Sequence, residues 1–270
     1  MENGFIHLCQ PDGCKSCGAC CGLYNYADSS RDALVIRLKR RTELWHDGMR
    51  DSARAAAFSE TMKHLEPQEK LYEVIYCCEF LGFIDEEERR VGCLLHPAQN
   101  RDADLRDASF YGRELCDGHF CPSYHHLSRE EKLALIEIID DWYLFGLCVT
   151  DIDLVKEYFR LVSERIYQMP APEAFRNYHL KEAAHRFFTL KVSWPFRSPE
   201  TNRFGKYYFD GSQYMISHID YERFGCGRSR FDRIFLSLTS RFDSASELAR
   251  AEALIDEYIE EFARCWRQMY

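Results

Sequence analysis

The sequence predicts a mainly helical protein in which an irregular, cysteine-rich front, residues 1–127, is packed on a helical back half, residues 128–270, that carries one β-hairpin. Three observations lead there. Ten cysteines, at positions 9, 14, 17, 20, 21, 77, 78, 93, 116 and 121, crowd into the front and leave only Cys148, Cys226 and Cys265 behind them. In the back half, two helix-opening signals, Ser128-Arg129-Glu130-Glu131 and Ser244-Ala245-Ser246-Glu247, precede apolar residues at helical spacing. Between these lies an Asp210-Gly211 pair flanked by strand formers. With 270 residues, 46% of them hydrophobic, the chain can bury one large core or two modest ones without help from a metal.

Taken in order, Ser30 to about His46 and Ser52 to about Leu65 read as helices, the second rich in Ala and Met. Leu71–Cys78 reads as a short strand or a helix end. From Gly92 to Leu127, Gly, Asp, Asn and Pro recur with no sustained period, which predicts loops. After Ser128, Leu135, Ile138, Ile139, Trp142 and Phe145 follow at helical spacing. Asp153–Tyr167 is expected to be a helix with Leu154, Val155, Tyr158, Leu161, Val162 and Ile166 on its buried stripe, stopped by Pro170 and Pro172. A third begins near Pro172 and ends before Pro195. Lys206–Ile216 reads as the hairpin around Asp210-Gly211-Ser212, and its aromatic residues as packing against helices. The last long helix carries Leu248, Leu254, Ile255, Tyr258 and Phe262.

Charge excludes some functions. Lys and Arg number 35 against 44 for Asp and Glu, a formal net charge of -9, which argues against broad nucleic-acid binding. The densest basic run, Arg37-Leu38-Lys39-Arg40-Arg41, is expected to be a solvated helix face. No stretch of about 18 apolar residues occurs, and the first residues lack a basic segment followed by an apolar run, so a cytoplasmic protein without a membrane partner is expected. The phosphate loop, the nucleophile elbow, H-E-x-x-H and the Rossmann fingerprint are missing, so no catalytic residue is assigned.

The run Cys14-Lys15-Ser16-Cys17-Gly18-Ala19-Cys20-Cys21 is the specific chemical signal. Three-residue spacing lets thiolates converge on one centre across a tight turn, for which Gly18 supplies backbone freedom. In a reducing compartment, clustered thiols hold metal or do redox chemistry rather than bridge, and thirteen is an odd count for disulfides. Cys20 and Cys21, being adjacent, diverge, so at least one sulfur serves a second centre or stays free. The expected ligands are Cys14, Cys17, Cys20, Cys21, Cys78, Cys93, Cys116 and Cys121, enough for two four-coordinate sites. Thiolate suits zinc and iron–sulfur clusters alike. C-x2-C-x2-C with the remote Cys121-Pro122 is also a ferredoxin-type pattern, by which Cys14, Cys17, Cys20 and Cys121 would hold a [4Fe–4S] cluster.

Cys14-x2-Cys17-Gly18-x-Cys20-Cys21, then Cys78-x-Phe80-Leu81, then Gly92-Cys93-x2-His96-Pro97 and a final cysteine resemble the YkgJ-like cysteine-cluster proteins, described as zinc- or iron-chelating. The resemblance spans residues 9 to 125 and implies a metal-binding protein. Family members commonly carry Arg-Pro after the third cysteine block. His96-Pro97 stands there instead, leaving His96 either a ligand or a helix-stop residue. The cluster also resembles one in flagellin lysine methylases, which implies an alternative, iron–sulfur-dependent methyl transfer.

Among the remaining residues, Cys77 reads as a buried structural thiol, and Cys148, Cys226 and Cys265 as core or interface. His119, His125 and His126 are expected beside the ligands or in solvent, and His179 and His185 in solvent.

Overall fold

The computed structural model describes residues 6–47, 50–66, 69–200, 203–210 and 213–269. It is mainly helical. The chain divides into two compact units, one made of His7–Tyr124 with Asp141–Gly146, the other chiefly of His125–Asp140 and Leu147–Tyr270.

In the first unit, α1 (Arg31–His46) starts where the Ser30 hydroxyl accepts the Ala33 N–H, and α2 (Ser52–Leu65) where the Asp51 carboxylate accepts that of Arg54. Both match the sequence expectation. Two short strands, β1 (Leu81–Phe83) and β2 (Val91–Cys93), pair antiparallel with Leu81 opposite Cys93. Residues 71–78 are neither strand nor helix. Three of their backbone groups are taken by one buried side chain: Asn25 Nδ2 donates to the carbonyls of Tyr72 and Ile75, and its Oδ1 accepts the Tyr72 N–H. The stretch expected to be loop contains α3 (Gly112–Gly118) and α4 (Pro122–His126), both too short to leave a periodic trace. Trp45, Ala55, Phe58, Met62, Phe80, Leu94 and Leu95 form the unit's apolar core.

In the second unit, the capping box at Ser128 and Glu131 opens α5 (Arg129–Ile138) as expected. The apolar series does not continue as one helix. It breaks at Ile139, and the Asp141 carboxylate accepts the N–H groups of Tyr143 and Leu144 to open α6 (Trp142–Val149), of which the residues through Gly146 belong to the first unit. The expected stripe of α7 (Ile152–Ile166) is buried throughout. This helix ends because Tyr167 turns left-handed at φ 60, ahead of the prolines. A 3-10 turn at Pro172–Arg176 precedes α8 (Tyr178–Ser193), which the Asn177 side chain caps. The expected hairpin is a three-stranded antiparallel sheet of β3 (Arg203–Phe204), β4 (Tyr207–Asp210) and β5 (Gln213–Ile216), with Asp210 opposite Gln213. The turn residues Gly211 and Ser212 lie outside the described residues. After α9 (Asp232–Ser237), α10 (Ala245–Met269) buries Leu248, Ile255 and Phe262, with Leu254 and Tyr258 half-buried. Among the described residues, no helix is long and apolar enough to cross a membrane.

Candidate metal centre

The first cysteine run folds as a 3-10 turn, Ala19–Cys21, closed by Gly22 at φ 79. Gly22, not Gly18, is the residue that needs conformational freedom. Gly18 has φ -112, whereas a side chain on Gly22 would meet the Tyr76 carbonyl at 2.2 Å. That close approach brings the 76–78 segment against the turn, and the Cys78 N–H donates to the Cys21 carbonyl at 2.9 Å. The β1–β2 pairing, extended by the Leu94 N–H donating to the Phe80 carbonyl at 2.8 Å, carries Cys93 to the same place. Cys21, Cys78 and Cys93 all border the apolar cluster of Trp45, Phe58 and Phe80.

Ahead of the turn, the Cys17 N–H donates to the Cys9 carbonyl at 2.9 Å, closing a loop over residues 9–17. Within it the Asp12 carboxylate accepts the Cys14 and Lys15 N–H groups and the Lys15 ammonium. This turn buries Lys15 and leaves Cys14 exposed. Cys9 takes the position beside Cys17 that the spacing had suggested for Cys14. The signal for it was weak, a lone cysteine ahead of the motif with a single glycine, Gly13, in the intervening loop.

The thiols feel one another. Burial pushes Cys9 up to about 11, with Cys121 adding to it. It pushes Cys17 well above the usual thiol range too, where the sulfurs of Cys9, Cys121 and Cys21 also disfavour ionisation. Cys20 is raised first by its hydrogen bond to Cys121, and Cys121 is held below the usual range by the same bond. Among their neighbours, burial pushes Cys21 up to about 12, with Cys93, Cys116 and, last, Cys9 contributing, and Cys78 is raised by burial, Cys21 and Cys93. Burial lifts Cys93 to about 11, with Cys116 adding and the Arg106 guanidinium opposing. Among the described residues no three His, Cys, Asp or Glu side chains form a ready-made ion site, so the sulfurs are gathered without being drawn to ligand distance. As a donor set they fit a thiophilic cation. Thiols that each raise the cost of ionising the next lose that cost when a metal supplies the positive charge.

The remaining histidines and cysteines differ in exposure and partners. His96 serves as a cap, its Nδ1 accepting the Ala98 N–H at 3.2 Å. His119, His125 and His126 are exposed, as is His179, and His185 is half-buried on α8. Cys77 is half-buried and its sulfur accepts from Asn25 Nδ2 at 3.6 Å. Cys148 is buried in core; Cys226 is exposed and Cys265 half-buried.

One residue that matters here was misread from the sequence. Arg41, expected on a solvated face, is 2% exposed. Its Nε and Nη2 donate to the Glu66 carboxylate at 2.8 and 2.6 Å, Nη2 also reaches the Tyr26 hydroxyl at 2.7 Å, and Nη1 donates to the Cys78 carbonyl at 2.9 Å and that of Leu81 at 3.4 Å. The guanidinium thus grips both ends of the turn that presents Cys78. Arg37 stacks on Tyr26, 3.7 Å from the ring centroid, and shares Glu66.

No family model matches this chain, and no curated protein or solved structure does either.

Proposed function

We propose that the protein binds metal, holding zinc or iron, the latter as an iron–sulfur cluster, through clustered cysteine thiolates, in the manner the YkgJ-like resemblance implies. One observation carries the reading. Backbone pairing brings together cysteines from distant segments: the Cys17 N–H donates to the Cys9 carbonyl, the Cys78 N–H donates to the Cys21 carbonyl, and Cys93 pairs opposite Leu81, while Cys121 makes Cys9 harder to ionise and Cys93 does the same to Cys21. Packing alone gives no reason to concentrate so many half-exposed sulfurs; a bound cation does, by stabilising the thiolates together. Zinc in such a site would lock the segments in place, whereas an iron–sulfur cluster would add electron transfer.

Protein purified under strict anaerobiosis decides the matter by elemental analysis and an optical spectrum of one sample. Colourless protein with stoichiometric zinc, or brown protein with iron and matching sulfide, supports the proposal and names the metal. Protein that is metal-free as purified and takes up neither zinc nor cobalt(II) on addition overturns it.

A further inference from the structure

We infer that the sulfurs form two separate four-thiol centres, one of Cys9, Cys17, Cys20 and Cys121, the other of Cys21, Cys78, Cys93 and Cys116, with Cys14 outside both. This rests on the metal-binding reading and adds to it the number of centres and the membership of each.

Backbone hydrogen bonds tie one pair of cysteines within each group. Cys17 and Cys9 are joined by the 2.9 Å hydrogen bond that closes the 9–17 loop, and Cys78 and Cys21 by the 2.9 Å bond between their own amide and carbonyl. These are contacts of the ligand residues themselves, made before any metal is considered. The thiols of Cys20 and Cys121 are hydrogen-bonded to each other, which ties the segment ahead of Pro122 to the first group. Cys93 reaches the second group through strand pairing, one residue opposite Leu81. Cys116 arrives on α3, whose preceding residues Phe110 and Tyr111 pack on the Tyr76 ring at centroid distances of 4.6 and 5.4 Å, two residues from Cys78.

The division falls between Cys20 and Cys21 for a geometric reason. In a 3-10 turn, successive residues are about 120° apart around the axis, so adjacent side chains cannot share one small coordination sphere without distortion. A doubled cysteine in this turn therefore feeds two centres. Four thiolates complete a tetrahedral zinc site or the corners of a cubane cluster, so neither group needs a further ligand from His96 or Cys77. Cys14 is turned out by Asp12, and its place in the first group is already filled by Cys9.

The test is metal content per chain, with the optical spectrum of the cobalt(II)-loaded full chain as a second readout, for Cys9→Ser, Cys14→Ser, Cys93→Ser and the Cys9→Ser/Cys93→Ser pair. The unaltered chain should hold about two ions and Cys14→Ser the same, as two tetrahedral four-thiolate sites require. Each of the other single variants should lose half the metal and half the cobalt absorption, and the double variant should lose all of it. Should a buried-side variant fail to fold, Cys116→Ser, at an exposed position, reports on the second centre alone and is likewise expected to halve the content. Loss of metal in Cys14→Ser, retention of full content in Cys9→Ser, or complete loss in any single variant overturns the partition. A chain that binds no metal at all fails the earlier reading instead, so the two failures are distinguishable.

Discussion

The two units bury their polar groups by different means. Around α7, α8 and α10, rings do most of the packing: Tyr158 lies 4.7 and 4.8 Å from Phe187 and Phe188, and Phe175 5.8 Å from Phe262. A compact buried polar cluster there is Lys191 on Asp151 at 2.6 Å, with the Ser237 hydroxyl and carbonyl closing it. Around Trp45 in the cysteine-bearing unit, the apolar core is smaller and is ringed by loops whose backbone hangs on single side chains: Asn25 for 72–75, Thr42 for Phe83, Asn100 for Leu94 and His96, and Arg41 for 78–81. Helices satisfy their own backbone; loops cannot, so a loop-rich unit concentrates its stability in a few polar residues and, on the metal-binding proposal, in the metal its thiols would hold.

If the protein holds metal as proposed, the largest break in that comparison should come from removing it. Structural zinc contributes on the order of 10 kcal/mol, much of it folding energy. Chelation should therefore expose residues 7–21 and 74–121 to hydrogen exchange and protease, while α7, α8 and α10 keep their protection. Equal loss of protection in both units, or none in either, would contradict the asymmetry.

A smaller effect is expected at Arg41. Arg41→Met takes the bidentate partner from the buried Glu66 carboxylate and leaves it Arg37 alone, a change that costs less than the ~3–5 kcal/mol of a fully unpaired buried charge. Denaturant unfolding followed by residue-resolved exchange should place the loss in the cysteine-bearing unit. An unchanged midpoint there would show that the guanidinium does not hold the 78–81 turn.

The smallest prediction concerns pH in the helical unit. Burial pushes the Asp151 carboxyl up, but the Lys191 ammonium, the Ser237 hydroxyl and the Leu154 N–H outweigh it and hold the group below its ordinary value. A carboxyl depressed on folding contributes stability that is fully present above its unfolded pKa of about 4 and is lost as pH falls through the folded value. Acid titration of unfolding should show that slope in the unaltered chain. Asp151→Asn should flatten it, and a slope unchanged in the variant would assign it to other carboxylates.

Local features were legible in the sequence because local physics sets them. The Ser30 and Ser128 caps, the α7 stripe from Leu154 to Ile166 and the opening of α10 each depend on residues within a turn or two of one another. The spacing C-x2-C-x2-C-C is local too, and the metal-binding proposal starts from it. Three things were decided only in the tertiary structure: that Cys9 rather than Cys14 stands beside Cys17, that Arg41 turns inward to Glu66 and Cys78, and that residues 71–78 run as a loop on Asn25. Each depends on a hydrogen bond that the chain makes only after reversing, across eight residues at Cys9 and Cys17 and across tens of residues at Arg41 and Asn25. No periodicity or spacing records which of several equivalent donors will meet its acceptor when those reversals close.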